Sequence, residues 1–362
     1  MFNLIGNKKL HPFGIDISER TIKVLQLSRQ KNGYAPTAFS QVDIPNNLIN
    51  NHVITNEEKL ASAVAKAVAQ AKHVIGNSVI ASIPEAKSFV RIVTMPKMDL
   101  EEIDGALPWE LEQDIPVPVE QVYLDWQLVD ETADKIKVLA MAAPRDYIDS
   151  LITVLKMAKL KPLAFELESQ STARAAISIE DKDQSVLLVD MASTGTSLAI
   201  VSKGVLEYTS SIPTGGNSIT QNISQALKVD IAEAEKLKIE NGLHSDTKKG
   251  NVRQNIIPVL DTIIDEIRNV IKYHEDHALF DQPITKIILS GGAANLQGIN
   301  EYAVARLNVS LSKSIGHVLL CDPWTNVADL NNRTGFPGLS DALELTTAIG
   351  LALRGMEFDE NN

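Results

Sequence analysis

One short pattern occurs twice in this 362-residue chain, about half a chain apart. Gly14-Ile15-Asp16, followed by Ser18-Glu19-Arg20-Thr21, lies between two β-branched runs, Phe13–Ile17 and Thr21–Leu27. Val189-Asp190, followed by Ala192-Ser193-Thr194-Gly195-Thr196, lies between Ser185–Val189 and Ser197–Val201. The two aspartates are 174 residues apart. A strand–turn–strand unit repeated at that spacing predicts two related halves. The residue types also suggest a ligand class. Turn N–H groups and small hydroxyl side chains suit phosphate oxygens, and an Asp ending the preceding strand suits a magnesium ion that keeps most of its water. Each turn alone reads as an ordinary β-hairpin; the pair, taken with a third motif, does not.

That third motif is Ile287-Ile288-Leu289-Ser290-Gly291-Gly292-Ala293, a buried strand running into glycines and then a helix. Missing side chains let backbone approach a flat base or a phosphate. Pro213-Thr214-Gly215-Gly216-Asn217, before another helix, has the same character, and both also suit plain strand-to-helix turns. Strands and helices alternate along the chain, which indicates an α/β class. A third strand is expected at Tyr34–Val42, and capping-box spacing at Thr55-Asn56-Glu57-Glu58 opens a helix over Leu60–Lys72. From Ser78 to Phe165 the order becomes strand, strand, an acidic helix (Leu100–Gln113) interrupted by Pro108, two strands and a helix over Tyr147–Lys159. This reads as an inserted subdomain. The expected organisation is therefore residues 1–78 with 166–184, an insertion at 79–165, and a second domain at 185–362 with a smaller subdomain around 228–282. In that second domain, Val259, Leu260, Ile263, Ile264, Ile267, Val270 and Ile271 recur at helical spacing, and Ser340–Arg354 forms a terminal helix.

Composition bounds the functions. With 34 Lys+Arg against 46 Asp+Glu the net charge is −12, which argues against nucleic acid as a partner. Cys321 is the single cysteine, so a disulfide framework is excluded and a reducing cytoplasm fits best. No run approaches the ~20 apolar residues that span a bilayer. Met1–Ile5 with Lys8 and Lys9 places its charges after a tiny apolar segment, unlike a secretory signal, and is expected to be a loose tail. Other features have plain structural readings. His274 and His277, beside Glu275 and Asp276, suit a solvated helix face; Trp109 and Trp126 suit core anchors of the insertion; Asp99–Asp104 suits an acidic helix start.

Two phosphate turns, the Glu235-x-x-Lys238 helix and the Gly291-Gly292 turn, in this order, resemble the actin/Hsp70/sugar-kinase ATPase superfamily. The implied fold is α/β, an actin-like (ribonuclease H-like) duplicated ATPase fold with an FtsA-type inserted subdomain. Within that branch the chain is similar to the PilM family of type IV pilus assembly, most sharply at Gly14–Lys23, Met95–Met98, Trp109-Glu110, Ile115–Pro118, Leu124–Trp126, Val189–Leu198, Ala234–Lys238, Leu289–Gly292, Asp322–Trp324 and Gly350–Gly355. The resemblance implies ATP or ADP with magnesium as cofactors. Asp16 and Asp190 would flank the hydrated magnesium, with Ser18, Thr21 and Lys23 at the first phosphate turn and Ser193, Thr194, Gly195 and Thr196 at the second. Gly215 and Gly216 would adjoin the nucleotide, Glu235 and Lys238 would reach ribose and adenine, and Gly291, Gly292 and Ala293 would lie against the adenosine. Glu168 falls where a residue orienting the attacking water is carried, and it also suits a plain helix cap. The family usually has Gly at Ser18, a small hydroxyl residue at Glu19 and Gly at Ala192. A carboxylate at Glu19 would repel phosphate unless it points away, so slow or absent hydrolysis is expected. The implied partner is the short cytoplasmic N-terminal tail of a PilN-like membrane protein, with pilus assembly ATPases and self-association as further possibilities and only indirect membrane contact. The alternatives are an FtsA-like division filament, against which the short acidic end Arg354–Asn362 speaks, and a sugar kinase, for which Asn32–Glu180 carries no signature.

Overall fold

Phe13–Ile17 (β1) is buried at all five positions, which is what a central strand covered on both faces requires. It pairs antiparallel with Thr21–Gln30 (β2), which pairs antiparallel with Gly33–Asp43 (β3). The computed structural model describes residues 10–31, 33–112, 115, 117–244, 252–308, 317–327 and 336–360. The Met1–Lys9 tail and residues 245–251 lie outside them. The described residues pack as two units, one within 1–175, 324–337 and 345–362, the other within 176–323 and 338–344.

In the first unit a small hairpin, Ile49–Asn50 (β4) and Val53–Ile54 (β5), precedes the helix Glu57–Gln70 (α1). Asn56 rather than Thr55 caps that helix, its side chain accepting from the Lys59 N–H at 2.9 Å. Next come Ser78–Ile83 (β6), Phe89–Pro96 (β7), Leu100–Leu111 (α2), Val122–Glu131 (β8), Lys135–Pro144 (β9), Arg145–Met157 (α3), Lys161–Leu167 (β10) and Glu168–Ala176 (α4). Strands β6 and β10 join the main sheet, in the order β10-β6-β1-β2-β3, and α3 packs on α1. The separately folded part of the expected 79–165 insertion is thus narrower: the sheet β7-β9-β8 with α2 across it. Ile103, Leu107 and Leu111 of α2 meet Val93, Met95 and Val138 in its core. Pro108 sits inside α2 without ending it. Of the two tryptophans expected in this core, Trp126 packs against it while its Nε1 donates to Asp104 (2.6 Å). Trp109 is 77% exposed, because it lies on the face of α2 opposite the buried leucines.

The second unit repeats the plan. Ser185–Met191 (β11), Thr196–Ser202 (β12) and Val205–Ile212 (β13) form a meander. Gly216–Leu227 (α5), Ile231–Asn241 (α6) and Val252–His277 (α7) follow, then Ile284–Ser290 (β14), Ile299–Asn308 (α8) and His317–Leu320 (β15). The sheet order β13-β12-β11-β14-β15 has the topology of β3-β2-β1-β6-β10, with β14 and β15 added in parallel. The helix face expected on α7 is buried at Leu260, Ile263, Ile264, Ile267, Val270 and Ile271. His274 belongs to it as well, contrary to the expected solvated face. It is 3% exposed, its Nδ1 lies 3.1 Å from Glu207 Oε2, and its Nε2 lies 2.8 Å from the Gln282 carbonyl oxygen. His277 faces outward and stacks on Tyr273.

The expected terminal helix is broken into Leu339–Ala342 (α9), a 3₁₀ turn at Leu343–Leu345, and Thr346–Glu360 (α10). Helix α10 packs on β1 and β2, so residues 345–362 go with the first unit rather than with the expected 185–362 domain. Glycines permit this contact. A Cβ on Gly14 would stand 2.5 Å from the Ala348 carbonyl oxygen, and one on Gly350 would overlap the Ser171 carbonyl. No helix among the described residues is long and apolar enough to cross a membrane.

Two outcomes are expected. Gly350→Ala should lower stability by about 3 kcal/mol in denaturant titration, whereas Gly105→Ala, which meets open space in α2, should raise it by about 0.5–1 kcal/mol. Burial opposes the His274 proton, but Glu207 and the Gln282 carbonyl outweigh it and raise the His274 pKa above 6.5. The stabilisation from this charged pair is therefore complete below pH 6.5 and is lost as pH rises through the raised value. The thermal midpoint should fall across that interval, and Glu207→Gln should flatten the fall.

Candidate functional site

Strand β11 carries Asp190 one residue before its end, and the parallel neighbour β14 brings Ser290 beside it in register. The Ser290 hydroxyl donates to Asp190 Oδ1 at 3.0 Å. The following turn closes tightly, with the Ala192 N–H donating to the Gly195 carbonyl at 2.9 Å. It is then joined to the residues opening α5. The N–H groups of Gly216 and Asn217 donate to the carbonyls of Ala192 (2.9 Å) and Ser193 (2.8 Å), and the Thr196 hydroxyl donates to the Thr214 carbonyl (2.7 Å). Thr196, 1% exposed, is thereby a lock within the turn, while Ser193 and Thr194 remain half-exposed. Gly215 is required by this junction, since its Cβ would lie 2.5 Å from the Ala192 carbonyl oxygen and 2.7 Å from the Gly195 nitrogen.

Helix α6 adds the charged pair. Lys238 Nζ donates to Glu235 Oε2 at 2.8 Å, to the Thr220 hydroxyl at 3.0 Å and to the Gly216 carbonyl at 3.3 Å. A Cβ on Gly216 would stand 3.6 Å from that ammonium and 3.4 Å from the Ala293 methyl. Gly291 holds φ +84°, and its Cβ would fall 2.6 Å from Asp190 Oδ1, so no side chain is tolerated there. Gly292 differs. No φ constraint applies, and the nearest atom to its Cβ position is the Glu344 Cβ at 3.6 Å. The fold does not itself demand a glycine at 292, where a Cβ would meet the Glu344 side chain at ordinary contact distance. The second unit thus brings together Asp190, Ser193–Thr196, Gly215, Gly216, Glu235, Lys238 and Gly291–Ala293 from four separate stretches of chain. These residues fit a magnesium nucleotide: an ordered carboxylate, half-exposed hydroxyls in a turn, a cation and a glycine pair.

The first unit builds the corresponding turn differently. Asp16, 4% exposed, accepts from the Ser82 hydroxyl at 2.9 Å and from Lys23 Nζ at 3.2 Å. Ser82 is on β6, the parallel neighbour, so it is the counterpart of Ser290. Ser82 was not singled out from the sequence; the signal was an apolar run ending in Ser after each half's meander. Ser18 and Thr21 spend their polar groups on the turn itself. The Ser18 hydroxyl donates to the Thr21 carbonyl (3.0 Å) and accepts from the Thr21 N–H (3.1 Å). Glu19, the residue expected to repel phosphate, accepts the His52 N–H at 2.8 Å at the tip of the β4–β5 hairpin. Its carboxylate is thereby held by a donor that the hairpin supplies. Glu168 opens α4, where its Oε2 lies 3.4 Å from the Glu85 N–H, and Glu85 Oε2 lies 3.4 Å from the Ser169 N–H in return. Beside it the Tyr147 hydroxyl is pushed far above its usual range, by burial first and then by the charges of Glu168 and Asp16.

The family model for type IV pilus assembly protein PilM matches residues 14–356. This chain belongs to the PilM family. Among solved structures, the PilM-PilN type IV pilus biogenesis complex shares its fold with a TM-score of 0.81 at 23% identity, over 96% of this chain and 99% of that one. MreB5 of Spiroplasma citri bound to AMPPNP gives 0.56 at 13% identity, over 97% of each chain. The cell division protein FtsA of Neisseria meningitidis serogroup B is 26% identical over 228 residues, 56% of this chain and 50% of that protein. The chain spans about half the length of the curated relatives it matches first. The actin-like ATPase fold expected for this PilM-family chain is the fold observed, with the FtsA-like relationship alongside it.

The contrast between the glycines gives a test. Gly292→Val should leave the thermal midpoint nearly unchanged and weaken adenine-nucleotide binding at least about tenfold by calorimetry, whereas Gly291→Val should disturb folding itself.

Proposed function

We propose that this PilM-family chain is an adenine-nucleotide-binding adaptor of the type IV pilus assembly platform rather than a metabolic enzyme. The observation that carries the reading is the convergence, in the second unit, of Asp190, the Ser193–Thr194 hydroxyls, the Lys238–Glu235 pair and the Gly292 space. ATP or ADP would place adenosine against Gly291, Gly292 and Ala293, ribose and adenine toward Glu235 and Lys238, and phosphates at Ser193, Thr194 and Gly195. Asp190 would face a hydrated magnesium. Magnesium would supply the counter-charge that a chain of net charge −12 lacks.

Slow or absent hydrolysis follows from the first unit. Lys23 is engaged with Asp16, Ser18 and Thr21 are engaged with each other, and Glu168 rests against the Glu85 turn. Each group already has a protein partner within its own unit, and turnover would require releasing it. Glu168 would orient water only after releasing the Glu85 N–H.

The solved PilM-PilN complex supports a PilN-like partner; the segment in this reading is the short cytoplasmic N-terminal tail of a PilN-like membrane protein, through which the chain would reach the membrane. The exposed Trp109 on the insertion supports peptide binding there, because a large amphipathic ring in water is an unused contact. Nucleotide becomes a switch if it binds the tail-bound state more tightly than the free one. Fluorescence anisotropy with a synthetic PilN-like tail peptide tests this, with and without ATP and magnesium. Saturable binding whose affinity shifts at least about fivefold on adding ATP and magnesium is the expected result. Absence of binding under both conditions would overturn the adaptor reading, and equal affinities would remove the switch.

A further inference from the structure

The 3₁₀ turn that breaks the terminal helix has a consequence for the base. Leu343 is 2% exposed, and its carbonyl accepts the Gly291 N–H at 3.1 Å, which ties the turn to the glycine pair. The next residue, Glu344, is half-buried. Its Cβ and Oε2 stand 3.6 and 3.8 Å from the Cβ position of Gly292, the one glycine of the pair that the fold does not require. Among the described residues Glu344 has no hydrogen-bond or ion-pair partner. The Glu344 carboxylate thus lies beside Gly292, and the Lys238 ammonium lies beside Gly216 next to Ala293.

We infer that Glu344 reads the six-position of the purine and selects 6-amino over 6-oxo bases. The inference rests on the nucleotide reading above. An ionised carboxylate only accepts hydrogen bonds. The exocyclic amine of adenine donates to it, whereas the six-position oxygen of hypoxanthine or guanine presents lone pairs to the same oxygens. A fixed acceptor set against the six-position atom itself discriminates against the analogue that presents an oxygen there, because the carboxylate then faces lone pairs in place of an amine donor. The backbone tie from Gly291 to Leu343 fixes where the acceptor stands. Glu344 touches base rather than phosphate, so it governs which nucleotide binds and leaves magnesium dependence alone.

Calorimetric titration of the full chain with ADP and with IDP, in magnesium, tests the inference using the wild type, Glu344→Gln and Glu344→Ala. The wild type should bind ADP at least about tenfold more tightly than IDP. Glu344→Gln should bring the two affinities within about threefold, since an amide both donates and accepts. Glu344→Ala should do the same by removing the acceptor, with ADP binding retained. A wild type that binds ADP and IDP equally, or variants that keep the wild-type ratio, would overturn the role of Glu344 while the nucleotide reading stands. A wild type that binds neither ADP nor ATP would overturn the nucleotide reading and this inference with it.

Discussion

A carboxylate near the end of each unit's central strand, held by a serine hydroxyl from the parallel neighbour, is the contact around which the rest is arranged. Asp16 with Ser82 and Asp190 with Ser290 occupy the same place in two sheets of one topology. A carboxylate drawn out of water is costly unless partnered, so each unit must supply donors within its own sheet. The first unit adds an ammonium and buries the pair: Lys23 lies opposite Asp16 in the β1–β2 register. The second unit puts Ser197 opposite Asp190 and keeps a glycine, Gly291, against the carboxylate. Asp190 consequently stays half-exposed, whereas Asp16 is buried. The two duplicated turns thus differ in how their carboxylates are held: by an ammonium and a serine hydroxyl in the first unit, by a serine hydroxyl beside a glycine in the second.

The glycines sort into two kinds on the same physical grounds. Gly14, Gly215, Gly291 and Gly350 are places where backbone meets backbone too closely for a Cβ, so they serve the fold. Gly292 and Gly216 have no such overlap, and Lys238, Ala293 and Glu344 border the space they leave. The neighbouring charges follow that division. The side chain of Lys238 is only 14% exposed, held by three oxygens from Glu235, Thr220 and Gly216, so its position survives the entropy that a free lysine would keep. A positioned cation matters in a chain whose overall field repels anions.

Much of the fold was legible because it depends on local pattern. The meanders, the α7 stripe, the two strand-end aspartates and the glycine turns all follow from residues within about a dozen positions of one another. What was not legible depends on contacts far apart in the chain. Ser82 reaches Asp16 across 66 residues because β6 returns parallel to β1, a pairing that the apolar run around Ser82 does not by itself reveal. The return of α10 to β1 is set by Gly14 and Gly350 together, each unremarked by itself. His274 sits among charged neighbours in sequence, yet it points inward to Glu207, 67 residues earlier, because the helix phase puts it on the stripe. Trp109 misled for the opposite reason: a large apolar residue predicts burial on average, whereas its helix phase alone places it outside. The donor that holds Glu19, the His52 N–H, comes from a hairpin of two-residue strands too short to read from the sequence.

Hydrogen–deuterium exchange of the full chain, with and without ADP and magnesium, measures the central claim at the level of segments. Added nucleotide should slow exchange in 190–196, 215–220 and 291–296, with little change across β7, β8 and β9. Unchanged exchange in those three segments at saturating ADP, or protection confined to the insertion, would contradict the assignment of the second unit as the nucleotide-holding one.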